Sequence, residues 1–188
     1  MRRTFALVVL LAFVLSAGVM AASKMVRCAF DGMAMKESMM KKATVKGETL
    51  YFCSDTQKNT YIKSPQKYRR TTKVGDLKAT IIFLTHKEHM QAMKGMGMKM
   101  KMAKKPTGTH HVAVCLQDKN GKDVKPTKVL IRLTDPKGKG VTKPLMWMQS
   151  MSHYGADFDL AAKGKYKAAV MVLDAGTQIQ SSVDYTVK

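Results

Sequence analysis

The sequence predicts an α+β protein in two unequal parts: a small mixed unit over residues 22–72 and an antiparallel, immunoglobulin-like β-sandwich over residues 73–188. Three observations carry this. The longer part holds about seven short runs of β-branched and aromatic residues. Turn signals separate those runs, at Asp118-Lys119-Asn120-Gly121, Asp135-Pro136-Lys137-Gly138, Lys163-Gly164-Lys165 and Asp174-Ala175-Gly176. The shorter part instead alternates strand-like pieces with helix caps and lysine-rich helical stretches.

Before either part comes a leader. Arg2 and Arg3 precede an apolar run from Phe5 to Leu15, and small residues follow through Ala22. Val19-Met20-Ala21 satisfies the small-residue rule for signal cleavage, so residues 1–21 are expected to be a signal peptide. The apolar run is short of the roughly 20 residues that a spanning helix needs, and no other stretch approaches that length. The mature protein is therefore expected to be periplasmic or secreted, and not to span a membrane.

The mixed unit begins with Val26 to Met35 and continues through a Lys- and Met-rich stretch, Met35–Lys42, expected to be helical. Ala43 to Cys53 reads as two short strands about a Lys46-Gly47-Glu48 hairpin turn. Ser54-Asp55 can cap a helix that runs to about Ser64, where Pro65 interrupts it, and the unit ends near Tyr68. In the β part the expected strands are Leu77–Leu84, His110–Gln117, Lys128–Thr134, a short one near Leu145–Met148, Phe158–Leu160, Tyr166–Leu173 and Thr177–Val187. Alternation is clearest in Val129-Leu130-Ile131-Arg132-Leu133. Cys115, on the second of these strands, reads as a buried small hydrophobe.

A connection over 85–109 joins the first two of these strands, and it carries the most unusual composition in the chain. Met90, Met93, Met96, Met98, Met100 and Met102 fall within thirteen residues. The last four recur at every second position, with Gly95, Gly97 and lysines between them. A helix would scatter that spacing around its circumference, and glycine weakens the helix further. Thioethers are soft ligands that select Cu(I) over zinc, magnesium or calcium, so the run reads as a copper-collecting loop.

Charge narrows the function classes. Lys and Arg number 33 against 13 Asp and Glu, for a formal net charge of +20 that loses two with Arg2 and Arg3. Such a balance in the cytosol would suggest nucleic acid. Export and the dispersal of the lysines argue against it, and leave a solvated surface or attraction to an acidic periplasmic or membrane partner protein. No acidic residue lies between Met90 and Lys105, which disfavours a hard-cation site there. No activated nucleophile or pair of catalytic carboxylates is evident, so no enzymatic activity is expected.

Three strings in the mixed unit carry a family resemblance: Cys28-Ala29-Phe30-Asp31-Gly32-Met33, Val45 to Ser54 (VKGETLYFCS) and Tyr61 to Tyr68 (YIKSPQKY). In this order they resemble the YHS domain, a small treble-clef-like module associated with metal handling. The resemblance covers about 45 residues and implies a treble-clef-like first unit. The related metal-binding pattern has Cys-x-x-Cys-Gly-Met and Phe-Cys-x-x-x-Cys. This chain keeps the first cysteine of each, Cys28 and Cys53, and has Asp31 and Gln57 at the other two positions. The resemblance thus implies a metal site on Cys28, Asp31 and Cys53. In an oxidising compartment a Cys28–Cys53 disulfide, stapling a unit too small for a large core, is the alternative.

All five histidines, His86, His89, His110, His111 and His153, lie in the β part. The first two follow one expected strand and the next two begin the following one, so both pairs should share one end of the sandwich. His153 follows Met146, Met148 and Met151 in a connection that also holds Trp147. The pattern His-His … Met-x-x-Met-x-His-Tyr-Gly is similar to periplasmic iron- and copper-uptake sandwiches with Met and His ligands. The expected ligands are His111, Met148, Met151 and His153, with His86 and His89 as a second set and His110, Met96, Met98, Met100 and Met102 contributing. Thioether and imidazole together suit copper as Cu(I) or Cu(II), with iron or zinc as the alternative ions. The expected function is copper binding, trafficking or sequestration. The alternative is a non-metal interaction module whose basic surface docks an acidic envelope or redox partner, with Cys28–Cys53 closed as a disulfide.

Overall fold

Strands dominate the computed structural model, which describes residues 24–95, 107–174 and 176–188. The leader and Met96, Met98, Met100 and Met102 lie outside the described residues. Among the described residues no helix is long and apolar enough to cross a membrane.

The first unit is two small ribbons and two short helices. β1 (Met25–Arg27) pairs antiparallel with β2 (Ala34–Lys36), and a single 3-10 turn, Glu37–Met39, leads to the hairpin of β3 (Lys41–Val45) and β4 (Glu48–Phe52). Lys46 and Gly47 take φ of 52° and 80° at its tip, the pair of positive values that a two-residue turn matched to strand twist requires. The helix expected over Met35–Lys42 does not form. Those residues are the end of β2, the 3-10 turn and the start of β3, and the Glu37 carboxylate draws in Lys42 (2.6 Å) and Lys24 (3.4 Å). α1 (Asp55–Lys63) starts where Ser54 Oγ accepts from the Gln57 amide at 3.2 Å, and α2 (Pro65–Tyr68) places its proline in the first turn, where no N–H is needed.

Eight strands form the main sheet: β5 (Arg69–Val74), β6 (Leu77–Thr85), β7 (His110–Gln117), β8 (Lys128–Thr134), β9 (Gly140–Met148), β10 (His153–Phe158), β11 (Gly164–Asp174) and β12 (Thr177–Val187). A helix, α3 (His86–Gly95), follows β6. The order across the sheet is β12-β11-β8-β9-β10-β7-β6-β5, with every pair antiparallel. The two outer strands then meet. Thr72 and Ser181 share a hydroxyl hydrogen bond of 2.7 Å, and Arg70 Nε donates to the Asp184 carbonyl at 2.9 Å.

This corrects the expected fold class. The described residues lie mostly in strands, and the main sheet curls into a near-barrel. The fold is not an α+β pairing of a treble-clef-like module with an immunoglobulin-like sandwich of two facing sheets. The alternation that suggested a sandwich is also what a curled sheet produces, because either needs one apolar face per strand. Ile81, Phe83, Val112, Val114, Ile131, Val170 and their neighbours fill the interior, where Phe83 and Tyr185 stack at 3.8 Å.

The outer face of β6 and β7 is covered as well. Ile82, Leu84, Ala113 and Cys115 form one cluster with Cys28, Phe30, Leu50, Phe52, Tyr61 and Tyr68 of the first unit and Ala92 of α3. Burial on both faces explains the nearly uninterrupted apolar run of β7. Arg27 bolts this cover down. Its guanidinium donates to the carbonyls of Gly32 and Ser152, each at 2.6 Å, and pairs with Asp123 at 2.7 Å.

A candidate metal centre between the sheet and its cover

The side chains of this centre come from four elements. Alternation along β7 sends His111 to the outer face while Val112 points inward. On the neighbouring β10 the outward positions are His153, Gly155 and Asp157, and on β9 they are Met146 and Met148. The register aligns them, with Asp157 opposite His111, Gly155 opposite Met146 and His153 opposite Met148. α3 lies above. Thr85 and Glu88 start it with reciprocal bonds: the Glu88 amide donates to Thr85 Oγ1 at 3.3 Å and the Thr85 amide to Glu88 Oε2 at 2.9 Å. The turn of the helix then places His86, His89 and Met93 on one face. His89 and Met93 are buried.

His89 stacks on His111 with ring centroids 4.2 Å apart, and His153 lies 6.0 Å from His111. Five buried side-chain nitrogens or oxygens have no hydrogen-bond partner among the described residues, and all five are histidine nitrogens: His86 Nε2, His89 Nδ1, His111 Nε2 and both nitrogens of His153. Buried polar atoms are ordinarily paired, so such a concentration is unusual. Burial, with the nearby His111, holds His89 down at about 4, and burial holds His153 well below the ordinary histidine value. Both rings are thus neutral near pH 7, each with a free lone pair, the form in which imidazole binds metal.

Asp157 and Gly155 shape the centre. Asp157 Oδ1 accepts from His111 Nδ1 at 3.0 Å, and that bond lowers the Asp157 carboxyl below its usual range. An ionised carboxylate only accepts, so this bond keeps a proton on Nδ1 and leaves Nε2 as the ring nitrogen turned toward Met148. A Cβ added to Gly155 would lie 2.7 Å from His111 Nε2 and 2.9 Å from Met148 Sδ, so imidazole and thioether converge over this glycine. The histidine donors are more widely spread than a closed site requires. Drawing His89 and His153 onto one ion requires their rings to rotate.

The structure thus places His111, His153 and Met148 together and adds His89 by stacking, in place of a separate His86–His89 set. Met151, in the β9–β10 turn, is fully buried. His86 contributes an unpartnered nitrogen. His110 points to the opposite face of β7 from His111 and bonds through Nδ1 to Thr109 Oγ1 at 2.8 Å. Trp147 faces the barrel interior, edge-on to Tyr154 at 5.1 Å, and does not cover the histidines. The sequence pattern assigns a role to neither Asp157 nor Gly155, which stand in the same strand as His153; it places Met93 in the methionine run, whereas Met93 lies on α3 with His89.

A second cluster lies in the cover. The donor atoms of Cys28, Asp31 and Cys53 lie within 4.8 Å of one another, and all three cysteines of the chain are free thiols. Gln57 stands across the site. Its Nε2 donates to Asp31 Oδ2 at 2.8 Å, and its Oε1 accepts from the Cys28 thiol at 3.2 Å. Burial raises Cys28 well above the ordinary thiol value and raises Asp31 too. Cys53 is half-buried and lines a cavity of about 310 Å³ with Phe30, Ser54, Gln57, Gln91 and Ala92. The turn at Asp31-Gly32 separates the two clusters. A Cβ on Gly32 would lie 2.9 Å from Cys115 Sγ and 3.3 Å from His153 Nδ1.

No protein-family model matches the chain, and no curated protein matches it in sequence. Several solved structures are similar. One is FetP of uropathogenic Escherichia coli, recombinantly expressed in the periplasm: 12% identity, covering 64% of this chain and 93% of that one, TM-score 0.48. A copper-bound variant of the same protein aligns at 14% identity over 64% and 95% of the two chains, TM-score 0.43. A DUF4426 family protein from Pseudomonas aeruginosa aligns at 16% identity over 63% and 96%, TM-score 0.43.

Proposed function

We propose that this is an exported copper-binding protein that holds the ion through His89, His111 and His153 with the thioethers of Met148 and Met151, for trafficking or sequestration. The observation that carries this is the set of unpartnered, buried histidine nitrogens, one of which, His111 Nε2, converges with Met148 Sδ over Gly155. Neutral imidazole serves either oxidation state of copper, and thioether favours Cu(I); zinc and iron have less use for a thioether. Copper is cargo here, bound and released by ligand exchange without catalysis.

Competition between the mature protein and a chromophoric Cu(I) chelator tests the reading. Wild type should withdraw copper, and His111→Ala with Met148→Leu should withdraw far less. A wild-type protein that leaves the chelator fully loaded would sink the proposal. Changing Met96, Met98, Met100 and Met102 to Leu in the same assay asks whether the Met run collects copper.

The Cys28, Asp31 and Cys53 cluster supports a second metal position. Two sulfurs bonded at about 2.3 Å to one ion stand at most about 4.6 Å apart, and these donors lie within 4.8 Å of one another. Thiol counting before and after copper addition tests it. Two thiols protected by copper are expected, and thiols that stay reactive would remove this position.

A further inference from the structure

Met146 has no part in either cluster, and its exposure is unexplained. It is 75% exposed, more than any other large apolar side chain among the described residues. The sequence offers no reason to leave an unbranched apolar residue in solvent near the end of a strand. Its position does. Met146 lies two residues before Met148 on β9, so the two side chains leave the same face roughly 7 Å apart. Its register partner is Gly155, the residue over which Met148 Sδ and His111 Nε2 converge.

We infer that Met146 is the landing ligand of the metal centre, a thioether that takes Cu(I) from solution and hands it to Met148 and His111. The inference rests on the copper reading proposed above. The histidines and Met151 are enclosed: His153 is 1% exposed and Met151 0%. Met148 is only half-buried, and Met146, next along the strand, is open. Directly opposed residues in an antiparallel pair have Cβ positions about 4.5–5.5 Å apart. Met146 therefore starts within that distance of the point where His111 Nε2 and Met148 Sδ meet. Its sulfur, two bonds beyond Cβ on an unbranched chain, swings between solvent and that point by side-chain rotation alone. Gly155 keeps the path clear, since any side chain there would stand between Met146 and the centre.

The transfer is an exchange with no change of oxidation state. The Cu(I)–sulfur bond to Met146 breaks as bonds to Met148 Sδ and His111 Nε2 form. The ion leaves by the reverse route, so Met146 governs how fast copper is gained and lost and contributes little to how tightly it is held.

Stopped-flow transfer of Cu(I) from its bicinchoninate complex to the full mature protein separates these roles. Met146→Leu keeps the bulk and removes the sulfur. It should slow loading and release severalfold while leaving the equilibrium affinity nearly unchanged. Met25→Leu, at another exposed methionine (58%), should leave loading unchanged. Loading of Met146→Leu at the wild-type rate overturns the inference. So does an affinity loss with unchanged loading, which would make Met146 a permanent ligand. A wild-type protein that takes no copper removes the metal reading itself, and this inference with it.

Discussion

The Asp157 carboxylate accepts a hydrogen bond from Nδ1 of His111 at 3.0 Å, across two strands in which the two residues are direct register partners. The sheet thereby solves a problem that a loop-borne histidine leaves open. It fixes which ring nitrogen carries the proton, and so which one faces Met148.

Replacing Asp157 by Asn should weaken copper binding by about tenfold to a hundredfold without unfolding the protein. The amide cannot supply the carboxylate charge, and its NH₂ can turn toward the ring and favour the wrong tautomer. Chelator competition measures the affinity, and thermal melting checks the fold. Unchanged affinity would mean that His111 is not a ligand, or that its tautomer is set elsewhere.

Gly155→Ala should be more damaging to the centre than to the fold. The new methyl would sit 2.7 Å from His111 Nε2 and 2.9 Å from Met148 Sδ, and one of the two must retreat. Overpacking of this kind costs about 1–2 kcal/mol in stability, since Met148 is only half-buried and can give way. Copper affinity should drop by an order of magnitude or more, about the effect of losing one oriented ligand. A variant that binds copper as wild type does would show that His111 and Met148 do not share an ion.

Much of this architecture is legible in the residues, and the failures have identifiable causes. The alternation of Val129 to Leu133 marks β8 directly, because one face of that strand meets the interior and the other meets water. β5 is hidden. Its residues Arg69 to Lys73 are polar, only Val74 is buried, and a strand at the sheet edge needs little apolar surface. Closure of the sheet depends on Thr72 meeting Ser181 more than a hundred positions away, which no local pattern encodes. The stacking of His89 on His111 depends on α3, whose start signal Thr85-x-x-Glu88 is followed by glycines and period-two methionines that read as a connection.

Acid should destabilise the metal-free protein through its buried histidines. His89 protonates only at about 4 in the folded state, against the ordinary 6.5 once unfolded, and His153 shifts in the same direction. Between those values the unfolded chain binds the extra proton. Stability is therefore full above about pH 6.5 and falls as the pH drops toward 4, by about 3 kcal/mol for His89 alone. Urea unfolding at about pH 7, 5.5 and 4.5 measures this, and His89→Gln should flatten the dependence. Equal stability of the wild type at all three values would show that these rings are not held neutral.

Arg27 ties the first unit to the sheet, and its loss should loosen the metal centre without touching a ligand. Its guanidinium satisfies the carbonyls of Gly32 and Ser152, one on each side of the junction, and its charge is met by Asp123. Arg27→Ala leaves both carbonyls short of a donor and opens space beneath the Gly32 turn, at a cost of about 2–4 kcal/mol. Gly32 abuts His153, so the turn's movement should reach that ring. Hydrogen exchange should accelerate over residues 28–33 and 151–155 while the interior strands β8 and β11 stay protected. Copper affinity should fall with it, and Arg27→Lys should recover little, because one ammonium cannot reach both carbonyls and Asp123 in the fork geometry that guanidinium provides. If exchange rises evenly through the whole sheet, the first unit and the barrel unfold as one body and Arg27 is not a local bolt.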